Sequence, residues 1–521
     1  TRCDRCGGKA TTAYTVYSQV FQCPRCLEKV PLFDCVEVET STAKGKPKKV
    51  SACPHCYKRG ITEEISTRAE KFGAVPVLVS YLCENGCKPA RAERRHNDPD
   101  QKKREYFEKH DLGKIREIEA KEIPHWYPKD RMMNAPVNDI RWALLWRPYH
   151  GSITRVCDFF THRNLWAIAA YFNAVSNMKV EIPVFRDILY GILTAIMYGL
   201  SKMNQYRPDV SFPLNYSANT LYVPPIGSEQ ALWKHAENKF NKVIAGYSSI
   251  NQEYDRNCSP KVIISTGDAR NLEDIASNSI DYVFADPPYG YRIQYGEMNF
   301  LWEAWLKIDH NWHGDEIIIN ELRGLTSKYW AHNLKLSLRE IYRVLKPGHW
   351  LSLCFHDSDT HIWELLQDIV AEVGFLSSSG GGSISTDYHT HKQHVAEDIT
   401  KRDLVINFRK PKPGELTSSI AITGNEDKTT FNEKVRQIIR DYLGANPGST
   451  KDRIYDEVVS RMVRSGQMEA HDFNELLGQV AEEAKVESGK NGGGRWYLKE
   501  TELVIADAAE NAREDSAAEK L

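Results

Sequence analysis

Asp286, Pro287, Pro288 and Tyr289 stand together directly after a largely apolar run, Ile280 to Ala285. The run has the length and composition of a buried parallel strand, which places the tetrapeptide on the loop leaving that strand. A carboxylate and a proline carbonyl in that position can accept hydrogen bonds from an exocyclic NH2, and an aromatic ring can stack on the base that carries it. Two adjacent prolines fix φ and donate no hydrogen bond, so the loop is held with its carbonyls directed outward at little entropic cost. The chemistry implied is modification of an aromatic amine. The same residues also suit a strand followed by a tight turn, since Asp-Pro and Pro-Pro are ordinary turn punctuation. Strand, acid, two prolines and aromatic in this order favour the chemical reading.

Cysteine carries the second chemical signal, because nine of the 12 cysteines fall before residue 90. Cys3-x-x-Cys6 and Cys23-x-x-Cys26 flank strand-like sequence from Thr11 to Phe21, the spacing of a zinc ribbon. Cys53-x-x-Cys56 and Cys83-x-x-x-Cys87 repeat the pattern less regularly, with a strand Val77 to Leu82 running into Cys83. The expectation is two structural zinc sites, one from Cys3, Cys6, Cys23 and Cys26 and one from Cys53, Cys56, Cys83 and Cys87. Four thiolates leave no open position for catalysis. A redox role would need a low-pKa thiol at a helix start after a thioredoxin-like strand, which the sequence does not suggest. Cys35, Cys157, Cys258 and Cys354 have no partners at ligand spacing and read as core residues.

The elements that must position these groups follow from length and pattern. At 521 residues the chain has room for two to four domains, and 41% hydrophobic and 26% charged residues are near globular averages. A net charge of −2 gives no global sign of a nucleic-acid partner, so any basic surface must be local. The apolar stretch Ile188 to Leu200 is too short to span a bilayer, so no membrane segment is expected. No signal peptide is visible, and the thiols read as reduced in a cytoplasmic protein. The chain reaches Cys3 without the residues that normally begin a domain, and reads as a fragment.

Residues 1–120 are expected to hold the zinc ribbons and a charged helical stretch, in which Arg91, Arg94, Arg95, Lys102, Lys103 and Arg104 could meet phosphates but are mixed with acids, as on a solvated face. Residues 121–260 read as helices and loops, with Thr161 capping a helix to Val175, a second helix from Pro183 to Lys202, and an irregular loop from Asn204 to Pro225 that could recognise a target. From 261 to 412 strands alternate with helices: strands at Val262–Ser265, Ile280–Ala285, Trp350–Phe355, Gly374–Ser377 and Leu404–Arg409, helices at Leu336–Leu345 and Trp363–Val373. That alternation predicts a mostly parallel α/β sheet with ligands at the carboxyl ends of its strands, where Asp268 and Asp286 both fall. Residues 413–427 have linker composition. Residues 428–499 suggest a winged-helix-like domain, with helices at Phe431–Leu443, Lys451–Val463 and His471–Ala484 and a hairpin in Val486–Leu498, suited equally to DNA or to a protein partner. Residues 500–521 form an acidic, alanine-rich tail that is expected to be disordered.

The cysteine knuckles, Phe159-Phe160-Thr161-His162-Arg163-Asn164-Leu165, Ser201-Lys202-Met203-Asn204-x-Tyr206-Arg207-Pro208, and Asp286-Pro-Pro-Tyr-Gly290 followed by Glu297-x-Asn299-Phe300-Leu301-Trp302 occur in this order. In that combination the chain resembles the bacterial and archaeal DNA amino-methyltransferases, adenine-specific in type, with a zinc-ribbon insertion, over most of residues 1–410. The resemblance implies a partial Rossmann-like class I methyltransferase sheet, S-adenosylmethionine as cofactor and DNA as partner. Asp286 and the Pro287 carbonyl would hold the target amine, Tyr289 would stack on the base, and Tyr291, Arg292 and Tyr295 could line the pocket. Gly267, Asp268 and Ala269 match the acidic turn that contacts the adenine moiety; Asp268 read from the sequence alone is equally a helix N-cap. The family's glycine-rich turn is missing, and Gly380-Gly381-Gly382 cannot supply it, because no helix pattern follows. A separate chain or an upstream segment would complete the cofactor site. Rival readings are an RNA guanine amino-methyltransferase and a non-catalytic zinc and winged-helix DNA-binding subunit.

Overall fold

The computed structural model describes residues 1–41, 47–67, 69–87, 107–132, 153–179, 181–207, 221–253, 262–291, 293–309, 311–357, 359–385, 402–415, 431–465, 467–469, 471–484 and 494–499. The chain divides into two compact units, residues 1–261 with 295–314, and residues 262–294 with 315–521. Among the described residues no helix is long and apolar enough to cross a membrane.

The first unit is organised by β1 (Ala10–Gln22), 13 residues rich in β-branched and aromatic side chains. Lys71–Cys83 (β5) runs antiparallel along its whole length, with Ala10 opposite Cys83 and Phe21 opposite Lys71. On its other edge β1 takes Lys29–Pro31 (β2) at its end and Ile226–Gln230 (β6) at its middle. Val36–Ser41 (β3) and Pro47–Ala52 (β4) form a separate antiparallel pair, which leads into the single turn Pro54–Tyr57 (α1). After the short helix Gly113–Glu119 (α2), the helices His162–Ser176 (α3), Val184–Leu200 (α4), Leu232–Glu253 (α5) and Tyr295–Leu306 (α6) pack around Ile168, Leu193, Met197 and Trp305. Thr161 caps α3 by accepting the Asn164 N–H, as its sequence predicts.

Two motifs of this unit, around Asn164 and Asn204, tie its elements together. Asn164 Nδ2 donates to the carbonyls of Leu200 and Gln230 at 3.0 and 2.9 Å, which fixes α3 to the end of α4 and to β6. Arg163 reaches Glu229 on β6 at 2.5 Å and Thr15 on β1 at 2.9 Å. Asn204 Nδ2 donates to the Ser228 carbonyl at 2.6 Å. A buried polar side chain costs stability unless paired, so these bonds also fix which elements can be neighbours.

The second unit contains a sheet of order β7-β8-β10-β9: Ile280–Ala285 (β7), Leu345–Phe355 (β8), Leu376–Ser385 (β9) and Arg402–Arg409 (β10). Ser327–Val344 (α7) and Thr360–Val373 (α8) pack on one another beside it. The expected mostly parallel sheet is corrected: β7 and β8 are parallel, but β10 is antiparallel to both β8 and β9. β9 and β10 are consecutive strands paired from Ser385 against Arg402, the sense of a hairpin. The expected buried strand at 262–265 is also corrected, because the segment pairs with no described strand and Val262, Ile263 and Ile264 are 73%, 93% and 92% exposed. β7 has a described neighbour only in β8, which leaves Tyr282 and Phe284 more than half exposed instead of buried. Gly381 and Gly382 lie inside β9, opposite Ile406 and Val405, and not in a turn.

Phe431–Ala445 (α9), Lys451–Ser465 (α10), Phe473–Val480 (α11) and the hairpin of Ala481–Ala484 (β11) with Arg495–Leu498 (β12) complete the unit. The third helix is shorter than its sequence suggests: the Ala481 N–H donates to the Leu477 carbonyl as the last helical bond, and from Ala481 the chain is extended and pairs with β12. Val435, Val458, Val459 and Leu477 share one hydrophobic core with Leu353, Ile406 and Leu366. Residues 88–106, 133–152, 208–220, 416–430 and 500–521, including the basic cluster, most of the recognition loop, most of the linker and the tail, lie outside the described residues.

Candidate functional site

β7 ends at Ala285 with the bounds its sequence predicts, and its register with β8, Ala285 opposite Leu353, brings two parallel carboxyl ends side by side. Asp286 is exposed and its carboxylate has no hydrogen-bond partner among the described residues. The two proline carbonyls differ. That of Pro288 accepts the Gly290 N–H at 3.0 Å and the Trp330 indole N–H at 3.3 Å. Tyr289 sits on the end of β8, its ring 5.3 Å from Phe355 in an edge-on arrangement and its hydroxyl 3.5 Å from Cys354 Sγ. Gly290 turns the chain at φ 53°, a left-handed conformation that favours glycine, and an added Cβ would meet Asp357 Oδ2 at 3.4 Å.

Residues that carry no distinguishing signal in the sequence hold this loop. Gln294, fully buried, donates to the carbonyls of Tyr291 and Ile319 at 3.1 and 3.3 Å and accepts from Asn320 at 2.8 Å. Ile319 N–H donates to the Gly290 carbonyl at 3.0 Å. At the end of β8 the Asp357 carbonyl receives Trp363 Nε1 at 2.9 Å and the Tyr455 hydroxyl of α10 at 3.4 Å. The loop is therefore fixed from three sides before any ligand binds, which is the condition for positional catalysis. The signal that could have found them is weak: an amide or indole near the motif in sequence says nothing of which carbonyl it will reach.

Gly267, Asp268 and Ala269 lie in an exposed irregular segment, and the N-cap alternative for Asp268 is not realised, because a turn and not a helix follows. Its carboxylate is held by Arg270 through both oxygens at 2.7 to 3.0 Å, and these bonds keep its pKa below the ordinary carboxylate value. Arg270 in turn donates to Asn333 on α7 at 2.7 Å. Tyr291 is 44% exposed, and Arg292 lies outside the described residues.

The eight cysteines gather into two sets, but not the expected ones. Cys3, Cys6, Cys83 and Cys87 form one and Cys23, Cys26, Cys53 and Cys56 the other, the ligand atoms of each within 4.8 Å of one another. The physical reason is β1 itself, since 13 residues at about 3.3 Å each hold its two ends about 40 Å apart. Cys3 and Cys6 precede one end, where antiparallel β5 delivers Cys83, while Cys23 and Cys26 follow the other, where α1 presents Cys53 and Cys56. Cys6 Sγ lies 3.5 Å from Cys83 Sγ, and Cys26 Sγ 3.7 Å from Cys53 Sγ. The Gly8 backbone N–H and the Asn85 amide hold the Cys6 thiol down at about 6, whereas hydrogen bonding from Cys6 and burial push Cys87 up to about 12. Four sulfurs converging without a disulfide suit a tetrahedral soft-metal site. Cys35 and Cys354 are buried as expected, Cys157 is half-buried, and Cys258 lies outside the described residues.

No family model and no curated protein matches this chain. Among solved structures it is similar to one described as a "Putative DNA Modification Methylase" from Thermus thermophilus, with 20% identity and a TM-score of 0.17 over 33% of this chain and 58% of that one. The same protein complexed with S-adenosyl-L-methionine gives the same figures.

Proposed function

We propose that the second unit is the catalytic half of an S-adenosylmethionine-dependent methyltransferase acting on an exocyclic base amine in DNA, with adenine as the base. The observation that carries the proposal is the disposition of Asp286: an exposed carboxylate, unpartnered among the described residues, on a rigid loop at the carboxyl end of a parallel strand. Asp286 and the Pro287 carbonyl accept the two amine hydrogens, which favours the pyramidal nitrogen whose lone pair can attack. Pro288 is excluded from that role because its carbonyl is already taken up by Gly290 and Trp330. Tyr289 offers a ring to the extruded base, which offsets part of the few kcal/mol that base flipping costs. When bound, S-adenosylmethionine supplies an electrophilic methyl group. Positioning is worth roughly 7 to 11 kcal/mol, so no strong general base is needed.

Of the cofactor site, Gly267, Asp268 and Ala269 are assigned to the adenine moiety. The glycine-rich turn that would face the methionine portion is assigned to a segment pairing with the edge of β7 that has no partner among the described residues, supplied in the same or a separate chain. The half-exposed Tyr282 and Phe284 and the exposed Ile263 and Ile264 support that assignment, because parallel strands are ordinarily covered on both faces. The two cysteine sets are assigned to structural zinc.

The test is methyl transfer from labelled cofactor to duplex DNA, with structured RNA in parallel, using residues 1–521 together with a segment that supplies the glycine-rich turn. Asp286→Ala should abolish transfer and leave cofactor binding nearly unchanged. Retention of most activity in that variant would refute the assignment of Asp286, and transfer to RNA alone would refute DNA as substrate.

A further inference from the structure

Lys129, Arg131 and Arg155 form a basic strip on the first unit, with Tyr127 at one end. The Met132 N–H donates to the Thr154 carbonyl at 2.9 Å and the Val156 N–H to the Asp130 carbonyl at 3.0 Å, so Arg131 and Arg155 stand directly opposite each other in an antiparallel bridge. The two bonds flank the pair, which is therefore of the closely spaced, non-hydrogen-bonded kind whose side chains lie nearest one another. Tyr127 and Lys129 precede Arg131 at the alternate positions that share one face of an extended chain. Lys129 Nζ lies 5.2 Å from the centre of the Tyr127 ring, and Arg155 Nη1 donates to the Lys129 carbonyl at 2.7 Å. All three cations are exposed. Like charges directly opposed across strands are destabilising, and a bound polyanion relieves that cost. Of the acids adjoining in sequence, Asp130 falls on the opposite face by alternation, and the Asp158 carboxylate accepts the backbone N–H groups of Thr154 and Arg155 at 2.8 Å.

We propose that this strip contacts the phosphate backbone of duplex DNA as a sequence-independent anchor. The inference rests on the DNA substrate proposed above and names residues that hold it. With a net charge of −2 the chain has no global attraction for DNA, so association must come from local cations such as these. An exposed, open row suits a polymer of phosphates, whereas a single small anion needs enclosure to be held against water. Arg131 and Arg155 offer guanidinium forks that match phosphate oxygens, and Lys129 adds a point charge. One face of the Tyr127 ring is taken by Lys129, so the ring steadies the ammonium by cation–π attraction. Backbone contacts of this kind position the duplex and carry no sequence information.

Fluorescence anisotropy of a labelled duplex titrated with residues 1–521, across about 50 to 200 mM salt, counts neutralised phosphates from the slope of log affinity against log salt concentration. Lys129→Gln and Arg131→Gln, at exposed positions where the fold should be unaffected, should each lower that slope by about one and weaken binding to every duplex sequence alike. Adding Arg155→Gln to both should lower it by about three and weaken binding by about tenfold or more. Arg131→Lys keeps the charge and should keep the slope, which a purely structural role for Arg131 would not require. The measurement uses neither cofactor nor methyl transfer, so failure of the Asp286 assignment does not enter it. An unchanged slope in the triple variant overturns the strip and leaves that assignment standing. Absence of duplex binding by the wild type at about 50 mM salt also overturns it. Loss of affinity for polyglutamate or for phosphatidylserine vesicles in the triple variant, with duplex affinity kept, would overturn DNA in favour of a protein or membrane partner.

Discussion

The indole N–H of Trp330 and the carbonyl of Pro288 are joined across 3.3 Å, between a wholly buried side chain of α7 and the second proline of the tetrapeptide. This bond occupies the second carbonyl of the pair. With the Pro288 carbonyl on Trp330 and Gly290, the Pro287 carbonyl and the Asp286 carboxylate have no partner among the described residues. If the loop is the active site proposed above, its orientation depends on a core tryptophan that lies outside the loop.

Trp330→Phe keeps most of the buried ring surface but removes the donor. Loss of the bond and of part of the packing should cost about 1 to 3 kcal/mol, read from urea unfolding. Methyl transfer should fall by more than the stability loss accounts for, because the released loop can misplace Asp286. Unchanged activity in a folded variant would show that the Pro288 carbonyl does not need to be held.

The interleaved cysteine sets predict a metal count that sequential sets do not. Replacing Cys3 and Cys83 together by serine should leave one zinc per chain, because both belong to the same cluster. Sets made of neighbouring knuckles would lose both ions in that variant. Metal analysis of the purified double mutant decides between them, and wild type holding less than one zinc would remove the metal assignment altogether.

The difference between these sets shows where sequence reading stops. Cysteine chemistry and the strand nature of Thr11 to Phe21 follow from local residue types, and β1 and α3 appear close to where pattern places them, whereas β5 extends to Lys71, well before the expected start at Val77. Which knuckle meets which depends on the register between β1 and a strand some 60 residues later, and no local signal carries that. The same holds at the proposed amine site. The strand ending at Ala285 and the tetrapeptide were legible, whereas Trp330, Gln294, Asn320 and Asp357 acquire their roles through contacts distant in sequence. The error at Val262–Ser265 has the opposite origin: three apolar β-branched residues are strand-like, but a strand needs a neighbour, and no described strand is one. Propensity describes a segment, while pairing belongs to the fold.

Tyr289 separates stacking from hydrogen bonding. Tyr289→Phe gives up a weak contact with Cys354 and keeps the edge-on packing against Phe355, so stability and methyl transfer should both change little. Tyr289→Ala removes the ring, and with it about 0.5 to 1.5 kcal/mol of aromatic pairing in addition to buried area. Activity in this variant should drop at least tenfold, with the larger effect on intact duplex than on single-stranded DNA, where no flipping is required. Equal losses on both substrates would show that the ring does not serve an extruded base.

Glu340 gives the fold a defined acid sensitivity. Hydrogen bonds from the Arg343 side chain, and then from the Leu272 backbone N–H, hold its pKa at about 2, below the ordinary value of 4.5. Arg343 also donates to the carbonyls of Leu272 and Ile275, so the pair fastens the segment leading into β7 onto α7. Because the folded-state pKa is depressed, Glu340 contributes stability that is fully present above about 4.5 and is lost as pH falls through about 2. The wild type should therefore melt at a higher temperature than Glu340→Gln at pH 6, and the gap should narrow below pH 4.5 and close near pH 2. Paired thermal melts across that range are the measurement. A gap that stays constant down to pH 2 would mean the variant's defect is steric and not ionic, and no gap at pH 6 would mean the Glu340–Arg343 clasp contributes nothing to stability.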